Sequence, residues 1–267
     1  MKFSKCVFGA IVLISSALAV LAQTDWKAKN FDQWDKNDVE TILNNSAWAK
    51  SQELRLQFEG VQTVAAGSLS TEVSRAGGQS GGGAAKDEKN VINQGGIQPS
   101  VDFIFTLRLR SSLAIRLALI RKNQLETKTE SLSKEELEIF NKRQRGLYEC
   151  PACAENYVVT LSCKSKESKN FDAVYVAFSK AQLSDIKRYI VLQNDKGEKR
   201  ELVFFTPPKS PNDEAIFFFQ RFDRKGNPLI TAASKQLRFI ATNNSVNMNT
   251  NFVFDIAPMR VGDKVEF

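Results

Sequence analysis

Hydrophobic and polar positions alternate through much of the second half of the chain. In "VDFIFTLRLR", Val101, Phe103, Phe105, Leu107 and Leu109 fall on one side, and Asp102, Thr106, Arg108 and Arg110 on the other. A period of two predicts a half-buried strand. "NYVVTLS" and "VYVAF" are β-branched and aromatic and read as strands as well. "RYIVLQNDKGEKRELVFFTPP" reads as a hairpin turning at Asp195-Lys196-Gly197 and ending at Pro207-Pro208. "EAIFFFQRF" runs into a turn at Asp223–Pro228, "QLRFIAT" and "NFVFDIA" flank an asparagine-rich stretch, and "KVEF" follows.

The period changes to that of a helix in three places. Val39, Ile42 and Leu43 form a stripe behind a cap at Asp35, with Asp38 in the acidic first turn. Trp34 stands before the cap and Trp48 after the helix. In "SSLAIRLALIRKNQLE", Ser112 is a cap and Leu113, Leu117 and Ile120 share a face. A further helix starts at the Ser133/Glu136 capping box, with a Leu132/Leu137 staple, and Gly146 is its expected stop. The short connection between these last two predicts antiparallel neighbours.

Taken together, the pattern predicts an α+β fold. Its body is an antiparallel β-sheet or a β-sandwich-like arrangement, with a helical pair and an N-terminal amphipathic helix. The expected organisation is a signal peptide over 1–22, a helix and docking segment over 23–66, a Gly/Ser-rich flexible loop or linker over 67–100, and a main domain over 101–267. Lys2 and Lys5 precede an uncharged run, Val7 to Leu21, and Val20-Leu21-Ala22 suits cleavage before Gln23. That run is shorter than the roughly twenty residues of a membrane span. The expected address is therefore export, to the periplasm or the extracellular space, with no transmembrane span after signal removal.

The pattern W-x-x-x-D-V-x-x-I-L-x-x-S-x-W-A, together with "CPACAENYVVTLS" and "FFTPPKSPNDEAIFFFQR", resembles a group of uncharacterised secreted bacterial proteins. The resemblance implies a short helix and a polar linker before a mixed α/β body. It implies no activity, and no functional residues transfer from it.

Composition narrows the chemistry. The 267 residues contain no histidine, which removes Ser-His-Asp and Cys-His nucleophile pairs and the commonest ligands of catalytic metals. No catalytic, cofactor-binding or metal-ligating residue is assigned, and no cofactor is expected. The net charge of +7 includes Lys2 and Lys5, which leave with the leader. Such a mild excess suits an anionic glycan or lipid surface, or an envelope protein, better than nucleic acid.

Two stretches are candidate surfaces. Arg108, Arg110, Arg116, Arg121 and Lys122 come with no acid between them and could hold phosphate or carboxylate if they share a face. Trp34, Val39, Ile42, Leu43 and Trp48 could dock a partner if their apolar face is open to solvent.

The cysteines raise the clearest chemical question. Cys150 and Cys153 form CPAC, with Cys163 ten residues on. A redox site would place Cys150 at a helix N-terminus, but Cys153 is followed by a strand-like run. A zinc site lacks a fourth ligand of the usual kind. A structural disulfide between Cys150 and Cys153 fits an oxidising compartment, although Cys163 is an alternative partner for either. The expectation is thus an exported, non-enzymatic binding or envelope-associated structural module. The alternatives are a thiol-disulfide active protein using CPAC, and a histidine-free hydrolase built on carboxylates.

Overall fold

The alternating segments pair into one antiparallel sheet. The computed structural model describes residues 26–57, 100–166, 172–243, 248–261 and 264–267. Residues 1–22, where a signal peptide was expected, and the glycine-rich stretch through residue 99 lie outside them. Eight strands make up this sheet among the described residues: β1 (Ala49–Gln57), β2 (Ser100–Leu109), β3 (Asn156–Ser165), β4 (Ile190–Asn194), β5 (Lys199–Thr206), β6 (Ala215–Gln220), β7 (Gln236–Asn243) and β8 (Met248–Asp255). Their order across the sheet is β1-β2-β3-β6-β5-β4-β7-β8.

The sheet curls until its two edges meet, giving a near-barrel. At the seam, Gln52 Nε2 on β1 donates to the Asn251 carbonyl on β8 at 3.0 Å. Lys50 Nζ lies 5.8 Å from the Phe254 ring centre. Side chains close this seam; the ladder of backbone bonds stops on either side of it.

The register explains the core. Phe103, Phe105 and Leu107 face inward on β2, opposite Ser165, Cys163 and Leu161 on β3. Val159 and Tyr157 of β3 face Phe217 and Phe219 of β6. Phe217 stacks on Phe205 at 5.3 Å and meets Phe239 at 5.5 Å. Phe103, Phe105, Phe217, Phe219, Phe239, Phe252 and Phe254 are fully buried. A small barrel of this kind is filled by its own side chains. Of the two β-architectures expected from the pattern, the single sheet is the one realised.

Six helices complete the described residues: α1 (Lys36–Asn44), α2 (Leu113–Thr127), α3 (Lys134–Glu149), α4 (Ala152–Glu155), α5 (Ala173–Phe178) and α6 (Leu183–Ile186). Asp35 caps α1 by accepting from Asp38 N, and Ser133 caps α3 in a full capping box with Glu136. Helices α2 and α3 run antiparallel: Arg116 bonds the Tyr148 carbonyl near one end, and Asn123 meets Gln144 at 2.9 Å further along.

Four local expectations need correction. "VYVAF" is α5, not a strand, because the Asp172 carboxylate accepts from the amides of Val174 and Tyr175 and fixes the first turn. Helix α3 does not stop at Gly146. It runs to Glu149, and Cys150, in the left-handed region at φ 42°, ends it. Ser112, expected to cap α2, makes no side-chain cap bond, while Leu117 and Ile120 do share a flank of the helix, toward α3. Leu137, expected to close a staple, is exposed.

The segment before the glycine-rich stretch is part of the body. Strand β1 pairs residue for residue with β2, from Ala49↔Arg108 to Gln57↔Ser100. At the other end of the chain, β9 (Arg260–Val261) and β10 (Lys264–Val265) form a small hairpin. Glu266 then pins Trp48, just before β1, and the start of α2. Its carbonyl accepts from Trp48 Nε1 at 2.8 Å, and its carboxylate accepts from Leu113 N at 2.5 Å and Ser112 Oγ at 3.4 Å. The Ser112 hydroxyl makes no cap bond of its own. The first orphan amide of α2, that of Leu113, is served from the distant tail.

Candidate binding surfaces around α2

The tryptophan helix is an internal element. Trp34, Val39, Ile42, Leu43 and Trp48 are all buried and belong to the same apolar cluster as the barrel phenylalanines. The face expected to greet a partner is spent on the protein's own core. Partner docking through these five side chains is therefore corrected: their apolar area is already removed from water.

The basic stretch is dispersed. Arg108 points outward from β2 and is held from four sides. It donates to the Leu43 carbonyl at 2.7 Å, Asn44 Oδ1 at 3.0 Å, Ser162 Oγ at 3.0 Å and Glu214 Oε1 at 2.6 Å. With 12% of its side chain exposed, it is a tie between α1 and the sheet. Arg116 serves the Tyr148 and Ser111 carbonyls, and desolvation pushes its pKa below the usual arginine value. Arg121 donates to the Trp34 carbonyl at 2.8 Å and to Gln124. Arg110 is half-buried beyond the end of β2. The physical reason is helical spacing: cations at positions 116, 121 and 122 fan around α2 instead of lining up.

Two of the five do meet. Arg108 and Lys122 line a cleft of about 620 Å³ between α1 and α2, above β2 and β3. Lys36 from α1 and Lys164 from β3 join them, over Val39, Leu43 and Leu125. Lys164 has no sequence signal of its own, because it enters through the β2–β3 register. Two acids also line the cleft. Glu40 lies 4.0 Å from Lys36 and Glu126 lies 3.8 Å from Lys122, as exposed i,i+4 pairs. Such pairs are worth only a few tenths of a kcal/mol, so a ligand group can replace them. Both carboxylates are more than half exposed.

The other flank of α2 is apolar. Phe31, Leu117, Ile120 and Tyr148 line an open groove of about 640 Å³ between α2 and α3, rimmed by Lys142 and Arg145. Arg145 is engaged with Glu149 at 2.7 Å.

The cysteine question has a structural answer. Cys150 and Cys153 are bridged, with their Cα atoms 5.4 Å apart, and Cys163 is free and buried. The bridge closes the turn between α3 and β3, where the Cys153 amide donates to the Cys150 carbonyl at 2.8 Å. Arg221 fastens that turn from β6, donating to the Cys153 carbonyl at 3.0 Å with its guanidinium 4.6 Å from the Tyr157 ring centre. Cys150 sits at the C-terminal end of a 16-residue helix, the negative pole of its dipole. A redox site would place it at the N-terminus of a long helix instead.

Cys163 lies beside Asp172, its Sγ 2.9 Å from Oδ1. Burial first, and then that carboxylate, push the thiol pKa far up. The same carboxylate accepts from the amides of Val174, Tyr175 and Asn212. This is a satisfied internal junction.

Among the described residues, no group of three or more Cys, Asp or Glu is placed to hold a metal ion, and no helix is long and apolar enough to cross a membrane. The chain matches no protein-family model, and neither curated proteins nor solved structures yield a match to it.

Proposed function

We propose that this is an exported protein that works by binding, with the cleft between α1 and α2 as its recognition surface. One observation carries the reading. The barrel interior is filled with phenylalanine, whereas the cleft outside it gathers Lys36, Arg108, Lys122 and Lys164 from four elements around the half-buried Leu125. That combination suits a ligand with an anionic head and a short apolar body. Export rests on the leader-like residues 1–22 and on a cysteine pair at bridging distance.

Calorimetric titration with octyl phosphate, octanoate and neutral octyl glucoside tests the reading. Saturable binding of the two anions, lost in a Lys122→Glu/Lys164→Glu variant, is the expected result. Equal binding of the neutral glucoside, or anion binding indifferent to both substitutions, would overturn it.

A further inference from the structure

A different surface, across the barrel, carries a second inference independent of the cleft. Helix α1 packs against β1 and β2. In the strand order, β4 stands four places from β2, which in a closed ring of eight is the opposite wall. There the register of β5 slips: Leu202 pairs with Phe219, but Phe204 pairs with Phe218. Leu202 and Phe205 face the core, and the extra residue turns both Val203 and Phe204 outward. Val203 is 39% exposed and Phe204 57%. The Phe204 ring sits edge-on to Phe218 at 5.2 Å, so it is supported from behind and stands proud of the sheet.

Tyr189 joins this cluster. It immediately precedes β4, and its carbonyl accepts from Thr242 N at 3.1 Å, which fixes its backbone at the end of the sheet. The β4–β5 ladder ends at Val191↔Glu201 and α6 packs on β5, so Tyr189, between α6 and β4, lies near the Val203 end of β5. Tyr189 is 51% exposed. Lys187 and Arg188 come directly before it; both are exposed and neither forms an ion pair among the described residues. The opposing acids are few. Glu201 is exposed on the same strand, and Asp185 is occupied by Gln182 N and Ser184 Oγ.

The geometry points to a docking surface for an anionic lipid bilayer, made by Tyr189, Val203 and Phe204 with Lys187 and Arg188 beside them. The bulge sets two successive apolar side chains, Val203 and Phe204, on the outer face. Aromatic rings with adjacent cations match the headgroup region of a bilayer, where the ring enters the interface and the cation meets phosphate. Docked in this way, the protein turns the α1–α2 cleft away from the membrane.

Co-sedimentation of the full chain with vesicles tests this, using phosphatidylcholine alone and phosphatidylcholine with phosphatidylglycerol. All proteins compared carry the same N-terminal segment, so that segment cannot produce a difference between them. The wild type should bind the anionic vesicles more strongly, and less so at high salt. Phe204→Ser/Tyr189→Ser should weaken this about tenfold, and Lys187→Glu/Arg188→Glu should abolish the preference for the anionic lipid. Lys134→Glu, the same charge change on the exposed first turn of α3, should change nothing. These side chains are exposed, and unchanged tryptophan fluorescence checks that each variant is folded. Absence of binding to anionic vesicles, or binding indifferent to both double substitutions, overturns the proposal. So does a size-exclusion shift from dimer to monomer in Phe204→Ser without a lipid effect, which would make the patch a contact with a second copy.

Discussion

Cys163 and Arg108 show how one side chain can be internal without being apolar. Arg108 spends its donors on two elements and a carboxylate, so its charge is part of the fold's fastening. Cys163 keeps its proton because burial and Asp172 both oppose the thiolate. The consequence for stability has a definite sign. A thiol whose pKa is higher folded than unfolded contributes fully below the unfolded value and loses that contribution as pH rises toward the folded one. The ordinary value is 9.0, so stability should fall as pH climbs above about 9. Tyr157, also raised chiefly by burial, steepens the same limb. Urea midpoints measured across this range should decline more gently in Cys163→Ala than in the wild type. Parallel declines would remove Cys163 from the account.

At the scale of elements, the decisive features are the ends. Helix α3 ends in the bridged turn, α5 starts on Asp172, and α2 starts on the carboxylate of Glu266. The bridge closes a loop too short to stabilise much through chain entropy, about 1–2 kcal/mol against about 3 for a 15-residue loop. A Cys150→Ser/Cys153→Ser variant should therefore remain folded, lose about that much in urea unfolding, and keep whatever ligand the cleft takes. Reduction of insulin by the wild type, abolished in the variant, would restore the thiol-active reading. The capped ends at Asp35 and Ser133 were legible because cap and partner lie three residues apart. Those of α2 and α5 were not. "VYVAF" carries strand propensity, and the acceptor that makes it a helix precedes it in a sequence without a strong stop. Glu266 lies 153 residues from Leu113, beyond any local pattern.

At the scale of the whole molecule, the near-barrel and α1 share one apolar cluster. The glycine-rich stretch interrupts the sequence there but not the sheet, since β1 pairs with β2 along its length. One cooperative transition is expected. Trp34 and Trp48, buried under α1 and beside the tail, report the N-terminal segment, and far-ultraviolet circular dichroism reports the sheet. Their urea curves should coincide. A tryptophan transition that comes first would make 26–48 a separately docked unit.

Sequence by itself determined the α+β class, most strands, the Asp195–Gly197 turn and the absence of histidine chemistry. These follow from periods of two and 3.6, from turn residues and from composition, all of which are local. Only the tertiary structure decided that the five basic residues disperse, with Arg108 and Lys122 alone sharing a cleft. It also decided that the tryptophan helix is core, that Lys164 joins the α1–α2 cleft, and that Val203 and Phe204 both turn outward. Strand register, a bulge and helix packing bring residues together across tens of positions, and no period in the sequence encodes such distances.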